Sequence, residues 1–345
     1  MGRGDSLAKA IHNFFPGCNS KNKLPAHKLR ALDAIVKCRT SYMGGHVEAC
    51  SSCGVVRTAY NSCRNRHCPQ CGAIDKERWV LAREADLLPV RYFHVVFTVP
   101  DKLNGLFMNN QAPMYNLLFR AAWEVLHDFG RTKKWIGGKI GTTAILHTWG
   151  QNLQYHPHVH FIVPGGALMP NGKWRHSRNR GKYLFDTAQM SGVFRARFVE
   201  QLRSVLKDKT VDGAFPAGLF DKDWVVYAKQ PFGGPEKVIK YLGRYTHRTA
   251  ISNDRILEVG SETVRFAWLD YRNNYARQTT TLPGEEFLRM FCQHILPPGF
   301  TRIRHYGFLS SAAKRKSLGA IRKALGAKPP MPALHGRKLS LQGWA

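Results

Sequence analysis

The chain has 345 residues, with 52 Lys and Arg against 23 Asp and Glu and a formal net charge of +29. Such an excess attracts polyanions and opposes compaction unless it is spread out or neutralised on binding, so a nucleic acid is the expected partner. A hydrophobic content of 43% is enough for real cores in two or three domains. No run approaches 18 apolar residues and no apolar signal core follows Met1-Gly-Arg-Gly-Asp5, so the expectation is a cytoplasmic, nucleoid-associated protein with no membrane partner.

In chain order, residues 25–37 space Leu29, Leu32 and Val36 at helical intervals. Six of the eight cysteines then fall between Cys38 and Cys71, including the knuckles Cys50-x-x-Cys53 and Cys68-x-x-Cys71. In a reducing compartment such knuckles point to tetrahedral zinc rather than disulfides. Cys38, His46, Cys50, Cys53, Cys63, His67, Cys68 and Cys71 make eight candidate ligands, the requirement of two closed four-ligand sites. One or two structural zinc ions are therefore expected. Arg64 and Arg66 stand beside these ligands and are candidate DNA contacts. Cys18 and Cys292 lie apart and are expected to be buried thiols.

A helical connector is expected over 76–88, closed by Pro89, and a strand over 91–100 from its β-branched and aromatic content. Residues 113–129 form an amphipathic pattern with a proline start and Gly130 after its end. Strands are expected at 142–149, 158–163, 224–229 and 263–269, with a helix at 190–206. Strands interrupted by helices without regular βαβ alternation imply an α+β domain on a mainly antiparallel sheet. After Glu286 the chain carries no acidic residue and eleven Lys and Arg. Within it, Phe300–Leu309 interleaves basic and aromatic residues, expected to pack or to face DNA, with Arg302 and Arg304 as candidate contacts. The end beyond Pro329 is expected to be disordered.

Two patterns carry chemistry. In Tyr155-His-Pro-His-Val-His-Phe-Ile-Val163, strand alternation puts His158 and His160 on one side, half of a metal site. A third ligand is expected from the hairpin upstream, and Gln151 is the choice; His156 shares parity, but Pro157 interrupts the register. Tyr241-Leu-Gly-Arg-Tyr245 puts two phenols one turn apart on a helix, with Arg244 and Arg248 spaced to clamp phosphates. Together they point to a nuclease with a tyrosine nucleophile, assisted by Mg2+ or Mn2+ on the phosphate.

On these motifs the chain resembles the IS91 family of transposases, within the HUH group of single-strand nucleases. The resemblance rests on His158-Val159-His160, on Tyr241 and Tyr245, on the zinc segment from Cys50 to Cys71, and on Gln293–Phe308. It implies an HUH-nuclease-like antiparallel sheet with helices (91–285), preceded by a helix and a small zinc-binding domain (1–90) and followed by a basic C-terminal region (286–345). It also implies rolling-circle-like transposition on single-stranded DNA at transposon ends and target. One tyrosine becomes joined to a 5′ phosphate and a 3′ hydroxyl is freed. A replication initiator or a relaxase shares that chemistry but not the zinc module. A non-enzymatic zinc-ribbon protein would bind DNA and form no adduct.

Overall fold

The N-terminal helix α1 (Leu7–Asn22) begins where Ser6, in extended backbone, accepts a hydrogen bond from the Lys9 amide, a side-chain cap for an otherwise orphaned donor. Leu7, Ala10, Ile11, Phe14 and Cys18 recur every three or four residues and are all buried. Lys23, left-handed at φ 44, ends the helix. The computed structural model describes residues 5–71, 79, 80, 83, 86–178, 183–229, 238, 243, 249–271 and 273–327. Helix α2 (Ala26–Lys37) buries Ala31, Leu32 and Ile35. After it comes an antiparallel hairpin, β1 (Gly45–Ala49) with β2 (Val56–Tyr60).

Among the described residues the main sheet has five antiparallel strands: β3 (Tyr92–Thr98), β4 (Gly141–Trp149), β5 (Tyr155–Pro164), β8 (Val226–Lys229) and β12 (Ile303–Gly307). Their order is β12-β4-β5-β3-β8, which puts β5 in the centre. Between them lie α3 (Asn104–Asn109), α4 (Gln111–Arg131), a small hairpin of β6 (Gly166–Leu168) and β7 (Trp174–His176), and α5 (Thr187–Lys207). A three-stranded meander of β9 (Ile256–Val259), β10 (Thr263–Asp270) and β11 (Ala276–Pro283) leads into α6 (Gly284–Gln293); α7 (Lys314–Ala324) follows β12. The class is α+β with antiparallel sheets, as the interrupted strands imply.

Alternation along β5 assigns its two faces. Val159, Phe161 and Val163 join the core formed with α4 and α5, where Phe97 meets Phe161 at 5.6 Å and Phe194 at 5.0 Å between ring centroids. His158, His160 and Ile162 point the other way. That face is covered in part by Leu88, Tyr92, Ile145, Ile162, Val238, Phe308, Leu318 and Ile321. Gly307, at φ +62, closes β12 against the Ile140 carbonyl, where a Cβ would collide; only glycine lets the chain turn Phe308 into this cluster.

A second core joins α1, α2, α6 and the meander, so the described part of the basic region, 286–327, is built into the fold through α6 and β12. Among the described residues no helix is long and apolar enough to cross a membrane.

Candidate functional site

The histidine face is set by strand register. His147 on β4 lies directly opposite His158 on β5, and Thr98 on β3 lies on the other side of His158. His160, two residues along, shares their face. The ring nitrogens of His147, His158 and His160 gather within 4.8 Å of one another. A β-bulge, one residue of β4 (Thr148) against two of β5 (His156 and Pro157) between the pairs His147–His158 and Trp149–Tyr155, brings the hairpin into this arrangement.

Second partners orient the rings. His158 Nδ1 donates to the His156 carbonyl at 2.6 Å, which turns Nε2 toward its neighbours. His160 Nδ1 and His94 Nε2 share a hydrogen bond of 2.7 Å, with the rings stacked at 5.0 Å. Burial, and then His156, holds the His158 pKa down to about 3; burial holds His94 at about 4. Neutral imidazole is the metal-binding form. Three imidazoles on one side leave the rest of a coordination sphere to phosphate and water, so the donor set fits an open metal centre.

The third residue gathered with the histidine pair is His147, and the expected Gln151 makes other contacts. The Gln151 amide nitrogen donates instead to the Tyr271 hydroxyl at 2.5 Å, and the Gln151 carbonyl accepts from Arg255. His156 is exposed and outside the gathered set. Tyr241, Tyr245, Arg244 and Arg248 lie outside the described residues. Val238, three residues before Tyr241, is 1% exposed and packs with Ile145 and Ile162 on the histidine face.

A second cluster lies at the N-terminal module. The sulfurs of Cys38, Cys63, Cys68 and Cys71 lie within 4.8 Å of one another, with Cys71 at 3.4 Å from Cys38 and 3.5 Å from Cys63. A tetrahedron with Zn–S bonds near 2.3 Å spaces its sulfurs at roughly 3.8 Å, so this set fits a closed zinc site. A hydrogen bond from Cys68 pulls the Cys63 pKa down to about 5, and the same bond pushes Cys68 up. Burial pushes Cys38 up to about 11. Crowded thiols resist a second ionisation, which a dication offsets.

The other four candidate ligands stand elsewhere. Cys50 and Cys53 lie exposed at the tip of the β1–β2 hairpin. His46 Nε2 meets Glu48 at 3.1 Å on the open face of β1. His67 is buried and its Nε2 accepts the Leu296 amide at 3.3 Å, tying the module to the chain after α6. Cys18 and Cys292 are buried thiols of the second core.

Comparison with known proteins bears on both clusters. Residues 141–317, just over half of the chain, match a family model described as "Putative transposase". Residues 10–99 match one described as "Transposase zinc-binding domain", of the IS91 type. The chain is 42% identical over 318 residues to "Putative transposase y4qJ" of Sinorhizobium fredii, covering 88% of this chain and 80% of that protein. It is 29% identical over 316 residues to "Transposase for insertion sequence element IS801" of Pseudomonas savastanoi pv. phaseolicola, covering 88% and 76%. The chain belongs to the IS91 family of transposases. No solved structure matches it.

The four-cysteine cluster thus sits inside the zinc-binding domain of the transposase, which supports a structural zinc there. The expected DNA-facing arginines divide. Arg64 is exposed. Arg66 donates to the Phe300 and Pro297 carbonyls at 2.6 and 2.7 Å, clamping the zinc module to the loop before β12. Arg302 is 8% exposed, and burial beside Arg66 lowers its pKa to about 10. Arg304 lies 4.2 Å over the Phe119 ring and donates to Asn116. Of these three, Arg302 is buried, while Arg66 stays exposed and Arg304 half-buried as they make their contacts with the fold.

His147 and His94 are the functional candidates that sequence reasoning missed. Their signals were parity and composition: His147 shares alternation with Thr143 and Ile145 on a predicted strand, and His94 is the lone histidine within Tyr92–Thr98.

Proposed function

We propose that this transposase cleaves and rejoins single-stranded DNA at the ends of its element through a covalent 5′-phosphotyrosine intermediate. The observation that carries the reading is the set of three histidines, with Val238, three residues before Tyr241 in the sequence, buried over the same face. His147, His158 and His160 would hold a divalent cation, Mg2+ or Mn2+. When bound, it supplies positive charge to a non-bridging oxygen of the scissile phosphate. The phenol oxygen of Tyr241 bonds to phosphorus, the bond to the 3′ oxygen breaks, and that oxygen leaves as a 3′ hydroxyl with a proton. The phosphodiester energy is stored in the phosphotyrosine for rejoining. Tyr245 offers a second nucleophile for the transfer step, and Arg244 and Arg248 supply charge-assisted hydrogen bonds to flanking phosphates.

One zinc per chain, at Cys38, Cys63, Cys68 and Cys71, is the stoichiometry this reading favours, because Cys50 and Cys53 gather no further His, Cys, Asp or Glu ligand among the described residues. The test of the function is a cleavage assay on single-stranded element-end DNA with Mn2+. Replacing His158 and His160 together by Ala should abolish cleavage yet spare most DNA affinity, which the basic surface supplies. An adduct that persists when Tyr241 and Tyr245 are both Phe would mean that the tyrosine assignment is wrong.

A further inference from the structure

A cleft of about 1210 Å³ opens at the end of the main sheet, and Thr98 and His156 are part of its wall. Thr98 pairs with His158 in the strand register, so one end of the cleft adjoins the histidine site. The start of the β10–β11 turn is also part of the wall: Tyr271 lines the cleft, and Tyr275, beyond the lining, stands edge-to-face against it with centroids 5.1 Å apart, the two rings being 52% and 64% exposed. Packing does not account for either ring. Tyr275 also adopts φ +61, a left-handed conformation uncommon for a bulky non-glycine residue. The hydrogen bond from Gln151 to the Tyr271 hydroxyl links this turn to the β4–β5 turn within the lining of the cleft.

The lining also says which part of a nucleic acid belongs there. The chain has more than twice as many basic as acidic residues, yet this cleft is lined by Asp101, Asp221, Asp223 and Asp270 against Lys102 and Lys222, with Asp221 bridged to Lys102 at 3.1 Å and Asp223 to Arg195 at 3.4 Å. Carboxylates repel phosphate but accept hydrogen bonds from the N–H groups of base edges, the amino groups of adenine, cytosine and guanine or the ring N–H of an unpaired thymine. The amides of Asn152 and Gln154, on the same wall as Gln151, offer both donors and acceptors. We infer that the cleft is a nucleobase-binding subsite, in which Tyr271 and Tyr275 stack unpaired bases next to the scissile phosphate while the phosphates run outside it. This rests on the reading of the histidine site as the place where the strand is cut.

The test uses the full chain and two fluorescent probes, a 12-nucleotide oligo(dT) and an abasic sugar-phosphate chain of the same length, with binding followed by anisotropy without added divalent cation. Stacking contributes on the order of tenfold or more in affinity per base, so the wild type should bind oligo(dT) more tightly than the abasic chain. Tyr271→Ala with Tyr275→Ala should weaken oligo(dT) by about tenfold or more. It should leave the abasic chain and the salt dependence unchanged, and the corresponding double Phe variant should retain the wild-type affinity. Both rings are exposed, and an unchanged melting temperature would confirm that the Ala variant folds. Equal weakening of both probes, or no change for oligo(dT), would overturn the inference. Adduct formation on Tyr241 or Tyr245 is read separately, so failure of the base subsite is distinguishable from failure of the cleavage reading.

Discussion

The 2.7 Å hydrogen bond between His94 and His160 determines which nitrogen of His160 is left for a metal. Outer partners of this kind typically contribute 10- to 100-fold in metal affinity. His94→Ala should therefore weaken Mn2+ binding by roughly 10-fold or more, measured by titration calorimetry, with His94→Gln recovering part of the loss. An unchanged affinity would show that the pair merely packs. An all-imidazole set suits transition metals better than magnesium, so cleavage should saturate at lower Mn2+ than Mg2+. His158 and His160 were legible because two residues on one strand need only alternation. His147 was not, because its meeting with His158 depends on the register between two strands. The bulge in the β4–β5 hairpin sets that register, and a slip of one residue would turn His147 to the opposite face.

At the scale of elements, the β1–β2 hairpin has a mostly exposed surface, so little apolar burial holds it. Its attachment depends on the cysteine cluster, on Arg66 and on His67. Cys71→Ser should release zinc and make residues 38–71 sensitive to limited proteolysis, while the histidine-bearing sheet stays folded on its own core. Metal analysis should find one tightly held zinc per chain; two would mean that Cys50 and Cys53 complete a second site. The sheet has the opposite character: Phe161 is fully buried between helices and strands, and Phe161→Ala should cost about 3–5 kcal/mol in chemical denaturation.

Helices α2, α4 and α5 and strands β3, β4, β5, β8 and β10 were legible from periodicity and β-branched content. Strand β11, Ala-Arg-Gln-Thr-Thr-Thr-Leu-Pro, was not, because an edge strand with so little apolar content carries no strong pattern. The Phe300–Leu309 segment read as basic and aromatic, whereas the fold pairs it with β4 and stacks Tyr306 on Trp123 at 4.9 Å.

For the whole molecule, pH and charge are the levers. His294 is 1% exposed, and burial lowers its pKa to about 4. The unfolded chain therefore takes up this proton first as the pH falls below about 6.5. The stability is present above that value and is lost down to about pH 4, by at most about 3 kcal/mol. His67, lowered by burial to about 3, acts in the same direction. Thermal melting should fall across this window, and His294→Asn should flatten the slope; a slope unchanged by that substitution would assign the acid sensitivity to other groups.

The covalent bond is the most direct test. The protein is incubated with single-stranded element-end DNA and Mn2+, denatured and digested, and the nucleotide-bearing peptide is mapped by mass spectrometry. A 5′-phosphotyrosine at Tyr241 or Tyr245, lost in His147→Ala, is the expected result. Cleavage that leaves a free 5′ phosphate and no adduct, or an adduct on any other residue, would contradict it.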